Sequence, residues 1–125
     1  MGILSSRDGY LHAQGLKLAL SSFGDPAAPP VIFAHGGGQP RHAWSGAAKT
    51  VAFEGYRSIA LDLRGHGESD WAADGDYSLE AIARDLIKVG EHVARGGTRP
   101  HVVGASLGGL AAIVAAGMLS RDAFE

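Results

Sequence analysis

The chain has 125 residues, enough for one modest domain, whereas α/β folds often use roughly 200 to 250 residues as a single domain. Its 11 Lys and Arg against 13 Asp and Glu give a formal charge of −2, which leaves no electrostatic footprint for a nucleic-acid or anionic-membrane partner. The absence of cysteine removes disulfides, thiolate metal sites and thiol nucleophiles, and fits a reducing, cytoplasmic setting.

The N-terminal stretch "MGILSSRDGYLHAQG" lacks an apolar run of signal-peptide length. "MGILSS" matches the start of an N-myristoylation motif, a short pattern that recurs by chance. Residues 10 to 23 split at Gly15 into two short runs, the second alternating around Leu16, Leu18 and Leu20, which predicts an antiparallel hairpin. "GDPAAPP" follows as a turn, and "VIFAHG" reads as a buried strand that stops at three glycines. "RHAWSGAAKTVAFEG" has a helical composition ending at Gly55, and "YRSIALDLRG" is a second buried strand ending at Asp62.

After the polar loop "RGHGESDWAADGDY", Ser78 is placed to cap a helix with Leu79, Ile82, Ala83, Leu86, Val89 and Val93 at helical spacing and Gly96-Gly97 as its stop. "PHVVGAS" predicts a third buried strand and "LGGLAAIVAAGML" a buried helix, too short and Gly-rich to span a bilayer. Strands alternating with helices imply an α/β fold: a mostly parallel sheet with helices on both faces, preceded by the N-terminal β-hairpin. No internal repeat or interdomain linker interrupts it.

Gly104-Ala105-Ser106-Leu107-Gly108 fits G-x-S-x-G between a strand and a helix, the context a nucleophile elbow requires. A strand that turns abruptly into a helix crowds the turn, so Gly104 and Gly108 must lack bulk, and Gly109 lets the helix lie close to the sheet. The turn lifts the Ser106 hydroxyl to a helix N-terminus, where the Leu107 amide and the helix dipole favour developing negative charge. A tetrahedral oxyanion needs a second donor, and "HGGG" at His35 to Gly38 lies at the same carboxyl edge of a parallel sheet. Gly37 is the first choice for that amide, with Gly36 and Gly38 as close alternatives.

"HGGG", "DLRGHGESD" and "GASLGG", in that order after successive strands, resemble the α/β-hydrolase superfamily over essentially the whole chain. The resemblance implies a Ser-His-acid triad with Ser106 as nucleophile and Gly37 and Leu107 as the oxyanion hole. Epoxide hydrolases and haloalkane dehalogenases look similar up to the elbow but carry Asp there. Serine at 106 favours esterases, lactonases, perhydrolase-like enzymes or carbon–carbon bond hydrolases acting through an acyl-enzyme on a small ester-like substrate, with no cofactor. In such families the triad runs Ser, acid, His, yet only Asp122 and Glu125 follow Ser106, with no histidine. Residues 1–125 therefore read as the N-terminal part of a catalytic domain, without the later strands, the lid, the triad acid and the His, and nearly inactive alone. The uncovered sheet edge invites self-association or pairing with the C-terminal half, so a non-catalytic interaction fragment is the alternative.

Competing readings of the same residues are weaker. His35 is expected to hold the glycine loop rather than to act as base, and His66 to brace its own loop between Gly65 and Gly67. Asp62 and Arg64 are expected to pair with each other. His35, His42, Asp62 and His66 have no metal-ligand spacing, so no metal is expected. Trp44 and Trp71 are candidates for a pocket mouth, the core or the surface. A dinucleotide-binding unit fails because its fingerprint needs glycine where Ser106 stands.

Overall fold

The structure is a computed structural model that describes residues 6–94, 98–119 and 122–125. The myristoylation match at 1–5 and the Gly96-Gly97 helix stop lie outside the described residues. Strands β1 (Arg7–Ala13) and β2 (Leu16–Phe23) form the expected antiparallel hairpin. Gln14 and Gly15 turn it with φ of +50° and +80°, the paired left-handed conformation that matches the twist of a two-residue hairpin.

Strands β3 (Pro30–Ala34), β4 (Arg57–Leu61) and β5 (His101–Gly104) are parallel, and the sheet order is β1-β2-β4-β3-β5. Ala34 pairs with both Leu61 and Gly104, so β3, β4 and β5 end at one level. The three segments that follow them therefore emerge side by side at the carboxyl edge, where parallel α/β sheets gather their chemistry.

A 3₁₀ turn (Arg41–Trp44) leads into α1 (Ser45–Phe53), which covers one face of the sheet by burying Ala48 and Ala52 against Phe23, Val31, Phe33 and Ala60. On the other face α2 (Leu79–Val93) buries Ile82, Leu86, Val89 and Val93 against Leu18, Ile32, Ile59 and Leu61. That stripe is the one its spacing predicts. Ser78 caps the helix as expected, its Oγ accepting from the Ala81 N–H at 3.1 Å. Helix α3 (Leu107–Val114) packs on the same face as α2 and continues as one π-helical turn, Ala115–Leu119. No helix among the described residues is long and apolar enough to cross a membrane.

Two expectations of burial fail. The third strand and its helix are not fully buried: Val103 is 39% exposed, Leu110 53% and Ile113 69%. The reason is position. Among the described residues β5 is the last strand in the order and pairs only with β3, and α3 turns its small residues, Gly108 and Ala111, inward while Leu110 and Ile113 face out.

Candidate active site

Glycines make the turn from β5 into α3 possible. A β-carbon at Gly104 would stand 2.6 Å from the Gly109 nitrogen and 2.7 Å from the Gly108 carbonyl carbon. One at Gly108 would collide with the Ala34 carbonyl oxygen and stand 2.7 Å from that of His35. Gly109 is less confined, 3.2 Å from the Gly104 oxygen. The atoms met are backbone in every case and cannot swing aside, so the crowding inferred from G-x-S-x-G is present on both sides of Ser106.

Ser106 itself has φ +52° and ψ −114°. Gln14 is the other described non-glycine residue with positive φ, and its hairpin turn accounts for it. Ser106 has no such turn; its ψ lies outside the left-handed helical well, and backbone in such regions costs about 1–3 kcal/mol. Strain of that kind is held by the surrounding packing. Although Ser106 occupies the cap position of α3, its side chain makes no capping bond, and the residue is exposed. It is therefore not there to cap the helix.

The glycine loop after β3 lies against this turn. A β-carbon at Gly36 would stand 3.6 Å from Ser106 Cβ, and one at Gly37 would stand 3.8 Å from Leu107 Cδ2. The elbow and loop are joined directly: the Gly108 N–H donates to the His35 oxygen at 3.1 Å, and the Ala105 N–H to the Ala34 oxygen at 3.1 Å. The structure thus brings together His35, Gly36, Gly37, Gly38, Gly104, Ser106, Leu107, Gly108 and Gly109.

Hydrogen bonding distinguishes three amides that the sequence left as alternatives. The Gly36 N–H donates to Gln39 Oε1 at 3.3 Å and the Gly38 N–H to His66 Nε2 at 3.1 Å. Among the described residues the Gly37 N–H has no acceptor. The Leu107 N–H, at the first helical position, likewise has none within its helix. Gln39 was not singled out in the sequence, yet it closes the loop, its own N–H donating to the Gly36 oxygen at 3.1 Å. Its place directly after the glycines is the only signal that marks it.

Two histidines knit the loop to the segment after β4. His35 is fully buried; its Nδ1–H donates to the Gly36 oxygen at 2.7 Å and its Nε2 accepts from the Leu63 N–H at 3.0 Å. That pairing requires the neutral ring, and burial holds its pKa below the ordinary imidazole value, helped by the nearby His66 and opposed by the Gly36 carbonyl and Asp62. His66 accepts from Gly38 through Nε2 and donates from Nδ1 to the Arg64 oxygen at 3.0 Å, its ring 4.9 Å from that of His35. Both imidazoles spend both nitrogens on backbone groups.

Asp62 and Arg64 do not pair with each other. The fully buried Asp62 accepts from the Arg41 guanidinium and from the Arg41 N–H, both at 2.5 Å, and from the Glu68 N–H at 3.0 Å. Arg64 instead forks onto the buried Asp85 of α2 at 2.6 and 2.9 Å. The two side chains leave the chain toward opposite faces of the sheet, one reaching the segment before α1 and the other α2. No local spacing reveals this, because each partner stands 21 residues away. Gly67 is obligatory beside Asp62, since any β-carbon there would collide with the carboxylate. At Arg41 burial is the largest single influence and lowers the pKa, but Asp62 and Glu68 together outweigh it; at Arg64 the Asp85 carboxylate leads, and both guanidiniums are held above their ordinary pKa.

Trp44 is half-buried against Phe33, with ring centroids 5.3 Å apart, whereas Trp71 is 78% exposed. Among the described residues no group of three or more His, Asp or Glu is arranged to hold a metal ion.

Comparison with known proteins agrees with this architecture. The chain is 45% identical over 92 residues to an esterase of Mycobacterium tuberculosis, a match that covers 74% of this chain and 29% of that protein. Among solved structures, an epoxide hydrolase from Vigna radiata superposes with a TM-score of 0.87 at 18% identity, covering 98% of this chain and 39% of that one; it shares the fold. A thioesterase domain from the curacin biosynthetic pathway superposes with a TM-score of 0.81 at 30% identity, covering 90% and 40%. The chain spans under a third of the length of the curated relative it matches. A family model described as the alpha/beta hydrolase fold matches residues 29–121, and with its strand-elbow-helix turn and glycine loop the chain belongs to that family.

Proposed function

We propose that these residues supply the nucleophile and oxyanion hole of a serine hydrolase acting on a carboxylic ester or related carbonyl compound. One observation carries the reading: Ser106 is held at φ +52° with an exposed, uncapped side chain at the start of α3, and the glycine loop after β3 lies against its turn. In this scheme Ser106 Oγ attacks the carbonyl carbon while a base takes its proton. The carbonyl oxygen gains negative charge and accepts from the amides of Gly37 and Leu107, and the alcohol leaves with the transferred proton. The same base then takes a proton from water, whose oxygen attacks the acyl carbon, and the acyl–Ser106 Oγ bond breaks as the proton returns to Oγ and the carboxylic acid leaves. Each oxyanion donor contributes about 3 kcal/mol to the rate.

We place the base outside these residues. No histidine follows Ser106 in the sequence, and His35 and His66 have no free ring nitrogen. Loss of a triad member costs on the order of 10⁴- to 10⁶-fold in rate, so residues 1–125 alone are expected to turn over esters barely above background. In a full-length protein carrying this segment, a fluorophosphonate probe should label Ser106, and Ser106→Ala should abolish both labelling and turnover. Turnover that survives Ser106→Ala refutes the assignment.

A second reading, an interaction fragment completed by another chain or by a second copy, is favoured by the exposed β5 edge with Val103, Leu110 and Ile113. Sedimentation of residues 1–125 tests it, with a concentration-dependent dimer expected and a strict monomer counting against it.

A further inference from the structure

The glycine loop presents a mechanical problem. Gly36, Gly37 and Gly38 have no side chains, a β-carbon at Gly38 would meet nothing within 4 Å, and one at Gly37 would meet only the tip of Leu107. Packing therefore does not hold the peptide planes of this loop, and three successive glycines have wide backbone freedom. An oxyanion donor is effective only when it is oriented before the charge develops.

Hydrogen bonds supply what packing does not. On one side of Gly37 the Gly36 N–H is fixed by Gln39, and on the other the Gly38 N–H is fixed by His66 Nε2. The plane that carries the Gly37 N–H lies between these two and is itself held through its carbonyl, the Gly36 oxygen, which accepts from His35 Nδ1–H at 2.7 Å and from the Gln39 N–H at 3.1 Å. The His66 tether is rigid in its turn. The residue's own N–H donates to the Leu63 oxygen at 2.9 Å, its oxygen accepts from the Ser69 N–H at 3.0 Å, its Nδ1–H donates to the Arg64 oxygen, and its ring lies against His35.

We propose that His66 is a positioning residue: by accepting from the Gly38 N–H it fixes the plane that follows Gly37 and so completes the orientation, begun at the Gly36 oxygen by His35 and Gln39, of the Gly37 amide toward the oxyanion formed at Ser106. The proposal rests on the serine-hydrolase reading above. It makes the segment after β4 part of the apparatus that positions the oxyanion donors. It also explains why the acceptor is an imidazole whose second nitrogen is anchored, since a freely rotating acceptor would not fix the plane.

The test uses a full-length protein carrying this segment, with a short-chain p-nitrophenyl ester and with Gly38 amide exchange followed by NMR. His66→Ala should lower kcat about tenfold, less than the 10²- to 10³-fold loss when a donor is deleted outright, and leave KM within about twofold. Gly38 exchange should accelerate in the same variant. His66→Gln restores an acceptor at similar reach and should recover most of kcat and the Gly38 protection. His66→Phe fills the ring volume without an acceptor and carries the same expectation as His66→Ala should the latter fail to fold. Unchanged kcat in His66→Ala or His66→Phe, or a His66→Gln variant as impaired as His66→Ala, overturns the proposal. Turnover surviving in Ser106→Ala overturns instead the hydrolase reading, and Gly38 exchange in the His66 variants distinguishes the two failures.

Discussion

Two glycine-rich turns meet at the carboxyl edge of the sheet, and they are held by opposite means. The elbow at Gly104 to Gly109 is fixed by contact: backbone surrounds each glycine so closely that no side-chain atom fits at 104 or 108, and Ser106 is driven to φ +52°. The loop at His35 to Gly38 has open space around Gly37 and Gly38 and is fixed by directed bonds from Gln39, His35 and His66. Behind that loop the buried Arg41–Asp62 pair fastens its far end to the segment after β4. The lesson is that an elbow built on packing should fail when atoms are added and ignore pH. A loop built on polar tethers should fail when partners are removed or titrated and tolerate added volume.

The largest effect expected is at the polar end of this contrast. Asp62→Ala strands the buried Arg41 guanidinium without its carboxylate, and breaking a buried pair costs about 3–5 kcal/mol. A urea titration showing less than about 1 kcal/mol would mean that the pair is not what fastens the loop. Next, Gly108→Ala drives a methyl group into the Ala34 and His35 carbonyls, at the upper end of overpacking costs, about 3 kcal/mol. A variant as stable as the parent would show that the elbow is not sterically saturated.

A smaller and pH-dependent effect follows from His35. Its folded-state pKa lies below the ordinary value of about 6.5, so the unfolded chain binds the proton first as pH falls. The stability it contributes is therefore complete above about pH 6.5 and declines below, by up to about 1.4 kcal/mol per pH unit until the folded state titrates. Denaturation midpoints measured between pH 7 and pH 5 should show this slope, and His35→Asn should flatten it. The smallest effect is expected at Gly37→Ala. With only Leu107 Cδ2 nearby at 3.8 Å and no positive φ, the change should alter stability by no more than about 0.5 kcal/mol. A loss as large as that of Gly108→Ala would erase the distinction between the two turns.

Much of this was legible in the residues, and the limit of legibility has a physical cause. The hairpin at Gly15, the capped helix from Ser78 and the glycine-flanked serine are local: dihedral preferences, a cap three residues from its acceptor and steric crowding across a single turn all act within a few positions. The partial exposure of β5 and α3 is not legible in the same way, because apolar content does not say whether a strand stands at the edge of a sheet. Adjacency in sequence points to Arg64 as the partner of Asp62, whereas the two side chains leave toward opposite faces and each pairs elsewhere.

That Ser106 stands on a crowded strand-to-helix turn and that a second glycine loop ends another strand can be read from the residues, because those features depend on atoms within a turn of one another. Long-range packing alone sets β3 between β4 and β5, brings Arg41 rather than Arg64 to Asp62, and leaves Gly37, of the three loop glycines, with an amide that has no acceptor among the described residues. Those outcomes depend on which strands lie side by side, and strand order brings together residues that the chain itself keeps 21 to 28 positions apart.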